Sequence, residues 1–507
     1  MTHVALSLIS HTNVGKTTLA RTLLRRDVGE VRDLSHVTLQ AECYALLDTA
    51  QGDRLELWDT PGFGDSVRLL RRLEQNSNPL GWLLSQVWDR FADRAFFSSQ
   101  QAVRNVRDHA HVVLYLVNAA EDAAATAYVE PEMRILDWIG KPVIVLLNQL
   151  GPPDATREAA DLASWRQRLQ TQTPVREVLA FDAFARCWVH EHVLFDRVAG
   201  LVPESDREGC LRLVDAWQAR NEQVFAASVQ VLARQLASTA IDQEPAPPSS
   251  VGATVRAWLR GLTRERGAAD LPAQHAMTRL AQRLDQRVVE STGELIALHG
   301  LAGQASSEVL ERLRSHFDLD LAIDPGKASL VGAAITGALG GLAADLSAGG
   351  LTLGGGALLG GLLGAAGSRG LARAYNTSRG PEGSLVRWSS GFLDARLQAA
   401  VLRYLAVAHF GRGRGDYVDS EFPPQWREVV AAAAAKHAGA ASACWQRASA
   451  RPDPGGIPQP PHDIREELPA VIAAVTVEVL DRLYPGVLDD RVRGGWRLSS
   501  ASTNTST

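Results

Sequence analysis

The apolar positions of the first two hundred residues follow two alternating rhythms. Val4–Ile9 is a short, continuous apolar run that ends in a polar, glycine-containing turn. From about Lys16 to Arg26, Leu19 and Leu23, and likewise Ala20 and Leu24, recur at the i, i+4 spacing of one buried helix face. Leu39–Leu47 and Arg54–Trp58 flank Gln51-Gly52-Asp53 and predict an antiparallel hairpin. Val112–Val117 and Pro142–Leu147 are apolar throughout, as strands covered on both faces are, and Val175–Ala180 is a weaker last strand. Strands alternating with helices predict an α/β sheet with mostly parallel strands.

Beyond about Gly200 the strand pattern fades. Arg207–Leu236, Gly252–Arg264, His275–Gly300 and Ser307–Phe317 have helical spacing, as do about Leu385–His409, Gln425–Arg447 and Leu468–Leu483. Gln243–Ser250 reads as a proline-rich linker, Arg451–Pro461 as a proline/glycine loop and 499–507 as a disordered polar tail. The expected organisation is an α/β domain over 1–200 and a mainly α-helical region over 201–507. A helical insertion at about 63–106 carries Trp82, Trp88, Phe91, Phe96 and Phe97. Those rings either cap the sheet or pack on the helical half, or they form a lever that moves when a bound ligand is turned over.

Composition narrows the class. The chain has 507 residues, 46% apolar and 21% charged, which fits a folded protein of several domains. With 52 basic and 57 acidic residues the formal charge is -5, so no nucleic acid partner is expected. Cys43, Cys187, Cys210 and Cys444 stand far apart, which excludes a disulfide framework and a cysteine zinc site. No basic region precedes Val4–Ile9, so it does not read as a signal peptide, and a cytoplasmic setting is expected. The only lysines are Lys16, Lys141, Lys327 and Lys436.

Lys16 belongs to the strongest motif. Ser10-His11-Thr12-Asn13-Val14-Gly15-Lys16-Thr17 lies between an apolar strand and a helix, the setting in which a loop aims backbone N–H groups and a helix N-terminus at phosphates. Asn13, Val14, Gly15, Lys16, Thr17 and Thr18 are the expected phosphate-binding residues. Lys16 would meet the β/γ-phosphates and Thr17 a magnesium ion. Ser10 replaces the usual first glycine. Asp59-Thr60-Pro61-Gly62 follows the strand Arg54–Trp58, 42 residues beyond Thr17. There Asp59 can hold magnesium through water, and the Gly62 N–H can sense a γ-phosphate.

Residues 1 to about 200 thus resemble a translation-factor-class P-loop GTPase with the Ras-like fold, nearest the Era-like and TrmE-like branch with its N-x-G-K-S/T loop and D-T-P-G turn. The whole chain resembles an uncharacterised bacterial family in which such a GTPase is fused to a helical domain of unknown function. The resemblance implies GTP as ligand and magnesium as cofactor, held by Thr17, Thr38 and Asp59. Thr38 is the switch threonine, with Thr49 a poorer alternative, and Lys16, Thr38 and Gly62 act on the phosphates. Phe63 stands where Ras-type relatives carry glutamine, so water must be positioned by backbone, an arginine supplied in trans, or a monovalent cation. Asn13 either caps the loop or ligates potassium, as asparagine does in potassium-dependent relatives.

Base recognition departs from the pattern. Asn148-Gln149-Leu150-Gly151 stands where the family has N-K-x-D. Asn148 and Gln149 keep the expected nucleotide contacts, but Gly151 replaces the base-reading aspartate. Asp154 is the nearest substitute along the chain, and Ala180-Phe181-Asp182-Ala183 is a weak likeness of the last base loop. Guanine selectivity is therefore in question.

Two further features suggest partners. Ala328–Ser368 is an apolar Gly/Ala/Leu segment whose single charge is Asp345, with Gly356, Gly360 and Gly364 every fourth residue. It is either a buried hairpin or one that enters a membrane, which would place the protein peripherally on the cytoplasmic face of the inner membrane, against lipid or a membrane protein. Gly411–Gly415 puts Arg412 and Arg414 on a flexible loop, which is either a plain surface loop, a binder of phosphate or lipid headgroups, or an arginine finger. The expected activity is slow GTP hydrolysis that switches the helical region, with a nucleotide-dependent dimer as a further expectation. The alternative is a membrane-associated scaffold whose nucleotide site is structural or unselective.

Overall fold

The structure is a computed structural model. It describes residues 1–11, 14–26, 28, 41–86, 93–151, 155–183, 187–246, 271–301, 375–380, 383–410, 425–449, 462–485 and 487–488. Asn13, Thr38, Trp88, Phe91, Asp154, 328–368, Gly411–Gly415 and the tail lie outside the described residues. The chain divides into two compact units, Met1–Glu222 with Ala408–Pro423, and Gln223–Val407 with Pro424–Thr507.

The first unit is built on a six-stranded sheet. Its strands are β1 (His3–Ser10), β2 (Glu42–Asp48), β3 (Arg54–Asp59), β4 (Val112–Asn118), β5 (Val143–Asn148) and β6 (Val175–Ala180), in the order β2-β3-β1-β4-β5-β6. Only β2 is antiparallel to its neighbour. Strand alternation explains the unbroken apolar runs. Val112, Leu114 and Leu116 of β4 join Ile144 and Leu146 of β5 in one core, whereas Val113, Tyr115 and Val117 join Val143, Val145 and Leu147 in the other. Both faces are covered, so neither parity can be polar.

Helix α1 (Lys16–Leu24), α7 (Trp188–Leu201) and the first part of α8 (Glu204–Ala240) supply the first core, through Leu19, Leu194 and Leu213. The second receives α2 (Ser66–Leu73), α3 (Pro79–Ser85), α4 (Arg94–Asp108), α5 (Val129–Ile139) and α6 (Ala155–Leu169). Of the aromatic residues between 63 and 106, Phe96 is buried there and Trp82 packs against it half-buried. Charged ends are fixed as well. Buried Asp53 accepts from the Thr2 N–H at 2.8 Å and from Arg212 Nε at 2.7 Å, which ties the β2–β3 turn to α8.

The second unit is mostly helical among the described residues. It holds α9 (Leu271–Leu298), α10 (Ser390–Ala408), α11 (Gln425–Lys436), α12 (Ala438–Ser449) and α13 (His462–Leu483). It also holds a small antiparallel sheet that the periodicity did not predict: β7 (Gln243–Ala246), β8 (Tyr375–Gly380) and β9 (Gly383–Trp388), in the order β7-β9-β8. Part of the expected linker is therefore a strand. Pro245 is tolerated because β7 is an edge, where one missing N–H does not break a ladder on both sides. Asp242 and Glu244 at β7 are clamped by Arg279, Arg283 and Arg287 of α9.

Candidate nucleotide site

The site lies where the chain leaves the carboxyl ends of the parallel strands, the crevice in which open α/β sheets bind ligands. β1 ends at Ser10 and α1 begins at Lys16, so the intervening loop is pinned between a strand and a helix N-terminus. Gly15 precedes the helix with φ 97°, a left-handed conformation that glycine alone adopts without strain. A side chain there would also collide, since a Cβ would lie 2.6 Å from Asn148 Nδ2.

Lys16 is buried and donates to Ser10 Oγ at 2.8 Å. Burial pushes its pKa down to about 8, against the pull of Asp59 and Glu132. Thr17 Oγ1 donates to Asp59 Oδ2 at 2.7 Å, so the loop and the end of β3 meet as the spacing implied. Asp59 is 1% exposed, and burial pushes its carboxyl up to about 6 despite the hydrogen bond from Thr17 and the charge of Lys16. Its second oxygen, Oδ1, is buried without a hydrogen-bond partner among the described residues. A buried carboxylate oxygen left in that state is costly, and a hydrated divalent cation beside Thr17 and Asp59 fits the deficit.

The turn after β3 is held firmly. Thr60 Oγ1 donates to Leu8 O at 2.6 Å, and the Phe63 N–H donates to Ser10 O at 2.9 Å. Gly62 is buried between these anchors, and the Phe63 ring is fully buried in the second core. Val14 and Thr18 are buried as well.

Asn148, at the end of β5, joins three segments. Its Nδ2 donates to Val14 O at 2.7 Å and its Oδ1 accepts from the Ala183 N–H at 2.7 Å. Gln149 follows with φ 59° and Gly151 with φ 75°. The structure thus gathers Val14, Gly15, Lys16, Thr17, Thr18, Asp59, Gly62, Asn148 and Gln149 at one end of the sheet. Asn13 and Thr38 fall outside the described residues.

Sequence reasoning missed two features. Fully buried Glu132 on α5 sits behind the loop, one oxygen 2.7 Å from His11 Nδ1 and the other accepting from Tyr115 OH at 2.6 Å, while His11 stacks on Tyr128 at 4.4 Å. No local signal could find it, because Glu132 lies 121 residues from His11. The other is Asp182, whose Oδ2 accepts from the Leu150 N–H at 3.0 Å. Asp182 was visible only as part of a weak loop likeness.

Two family models match successive stretches of the chain. Residues 6–149 match the family model described as 50S ribosome-binding GTPase, and residues 169–475 match that described as Domain of unknown function (DUF3482). No curated protein matches the chain. Among solved structures it is similar to Era in complex with MgGDPNP and a segment of 16S ribosomal RNA, at 18% identity and a TM-score of 0.30. That match covers 40% of this chain and 58% of the other. A variant of Era from Aquifex aeolicus bound to GDP and AlF4- is 15% identical over 59% of this chain and 90% of that one, with a TM-score of 0.30. Toc33 from Arabidopsis thaliana is 15% identical over 37% and 73%, with a TM-score of 0.24. The second family model spans more than half of the chain, so the protein belongs to the family of the domain of unknown function DUF3482, with a Ras-like P-loop GTPase domain at its N-terminus.

Proposed function

We propose that the protein is a GTP-binding switch that hydrolyses GTP slowly with magnesium and signals to its helical region. The observation that carries this reading is the pairing of Thr17 with Asp59 at 2.7 Å beside buried Lys16, with Asp59 Oδ1 left for a cation. Loop N–H groups from Val14 to Thr18 cradle the phosphates, and Lys16 leaves Ser10 to meet the β- and γ-phosphates. Magnesium, when bound, neutralises charge on the transferring phosphoryl group. Thr17 and Asp59 hold it, with Thr38 completing the set from outside the described residues. The Gly62 N–H reports the γ-phosphate, and its loss on hydrolysis frees the turn that leads into α2. Phe63 is buried and supplies no group to orient water, which leaves that task to backbone, an arginine in trans, or a cation at Asn13.

The test is single-turnover GTP hydrolysis with magnesium and with chelator. Turnover that requires magnesium supports the reading, whereas tight binding with no turnover in either condition leaves a structural nucleotide site. Replacing sodium by potassium is expected to accelerate hydrolysis severalfold, and Asn13→Ala to remove the difference. Equal rates in both salts count against potassium while leaving the GTPase standing.

A pH effect follows from Lys16. Bound phosphates raise its pKa from the free value of about 8, so nucleotide affinity is full below that value and declines as pH rises through it. GDP titrations without divalent cation should therefore be level to about pH 7.5 and then lose up to about tenfold per unit. An unchanged affinity at pH 9.5 contradicts this role.

The membrane part of the reading rests on the sequence of 328–368. Among the described residues no helix is long and apolar enough to cross a membrane. Flotation of the full chain with anionic liposomes, against a folded variant lacking 328–368, is expected to separate the two; equal recovery in the soluble fraction defeats it.

A further inference from the structure

The base-reading aspartate of the GTPase pattern is replaced by Gly151, yet a carboxylate stands one residue away in space. Asp182, just after β6, accepts from the Leu150 N–H through Oδ2 at 3.0 Å. The next peptide is held by Arg157 of α6, whose Nη2 donates to Leu150 O at 2.8 Å. Ala183, next to Asp182, donates its N–H to Asn148, and Asn148 in turn grips Val14 of the phosphate loop. One short chain of hydrogen bonds therefore fixes Asp182 relative to the phosphate loop. Asp182 is half-buried, as are Gln149, Leu150 and Gly151, so a ligand can reach this corner.

We infer that Asp182 reads the guanine base, supplying from the last loop the carboxylate that position 151 lacks. This rests on the nucleotide-site reading above and adds its selectivity. The chemistry is a count of donors and acceptors. The guanine edge presents two donors, N1–H and the 2-amino group, and an ionised carboxylate offers two acceptor oxygens with about four lone-pair sites. The bond from Leu150 is among the contacts that aim the group. Adenine presents no such pair of donors. Xanthine replaces the 2-amino donor by a carbonyl, which the carboxylate repels. A site built to hydrogen-bond one edge rejects an analogue that leaves its buried groups unpaired.

The experiment is a competition titration of the full chain with GDP, IDP, XDP and ADP, on the parent and on Asp182→Asn. The parent should bind GDP about 100-fold more tightly than XDP or ADP, and about tenfold more tightly than IDP, which lacks the 2-amino group. Asp182→Asn offers a carbonyl to N1–H and an amide donor to the xanthine carbonyl, so the order of GDP and XDP should reverse. Glu158→Gln, which removes the neighbouring carboxylate on α6, should leave the parent order unchanged. Two results overturn the inference: a parent that binds GDP and IDP, or GDP and XDP, equally, and a folded Asp182→Asn protein that keeps its guanine preference. The IDP comparison needs no variant, so a misfolded substitution does not block the test. A parent that binds no nucleotide at all defeats the nucleotide-site reading itself, and the inference falls with it.

Discussion

Lys16→Ala is expected to weaken GTP and GDP binding by about two to three orders of magnitude, on the order of 3–4 kcal/mol. Lys16 is the one lysine of the phosphate loop, and it is already buried at its place, held by Ser10 Oγ at 2.8 Å. Charge-assisted hydrogen bonds to phosphate in a partly dry site are the strong class, and alanine removes both the charge and the donors. The fold should tolerate the loss, since removal of a buried ammonium relieves desolvation as well as ending its bond to Ser10. Isothermal titration with GDP, read beside the melting temperature, checks both halves. A variant that binds like the parent shows that the loop is not the phosphate site.

Gly15→Ala should damage both fold and binding, through geometry. At φ 97° any other residue is strained by about 1–2 kcal/mol. The new Cβ would stand 2.6 Å from Asn148 Nδ2, so that amide must leave Val14 O, and its Oδ1 is drawn off the Ala183 N–H. Orphaning such buried groups adds about 1–3 kcal/mol. At about 2–4 °C per kcal/mol for a domain of this size, the melting temperature should fall by roughly 5–15 °C. GDP affinity should fall at least about tenfold. Gly140→Ala is the control: it shares a left-handed φ of 75° but has no described atom within 4 Å of the added carbon. It should cost strain alone and leave GDP affinity intact. If the two variants behave alike, the Asn148 contact is not what makes glycine necessary at position 15.

Local chemistry made half of the site readable. A strand, a loop ending in Gly15-Lys16-Thr17 and a helix are consecutive in the chain, so their arrangement follows from backbone rules acting over a few residues. Asp59 was legible because a strand end fixes where its next residues go, and the 2.7 Å bond from Thr17 agrees with that spacing. The alternation of β4 and β5 was legible for a similar reason, since an unbroken apolar run admits only a strand or helix covered all round.

What periodicity misjudged lies mainly in the second unit. Leu385–Trp388 was read as the start of a helix, but it is a strand, and the helix begins at Ser390 behind a Ser389 cap whose Oγ accepts from the Phe392 N–H at 3.2 Å. Four apolar-rich residues carry too few turns to distinguish the two periods. Gln243–Ala246 looked like a linker because proline lacks a donor, and only its place at a sheet edge makes that loss harmless.

By itself, the sequence determined the phosphate loop, the D-T-P-G turn, the parallel sheet and the loss of the usual base-reading aspartate, because each is written in consecutive residues or strict alternation. The tertiary structure alone decided which distant groups serve that site. Asn148 reaches Val14 across 134 residues, Glu132 reaches His11 across 121, and Asp182 reaches the Leu150 peptide across 32. Those meetings depend on strand order and on which helix lies behind which strand. Burial then gives them force, because a carboxylate or amide removed from water must find its partners among the side chains the fold brings to it.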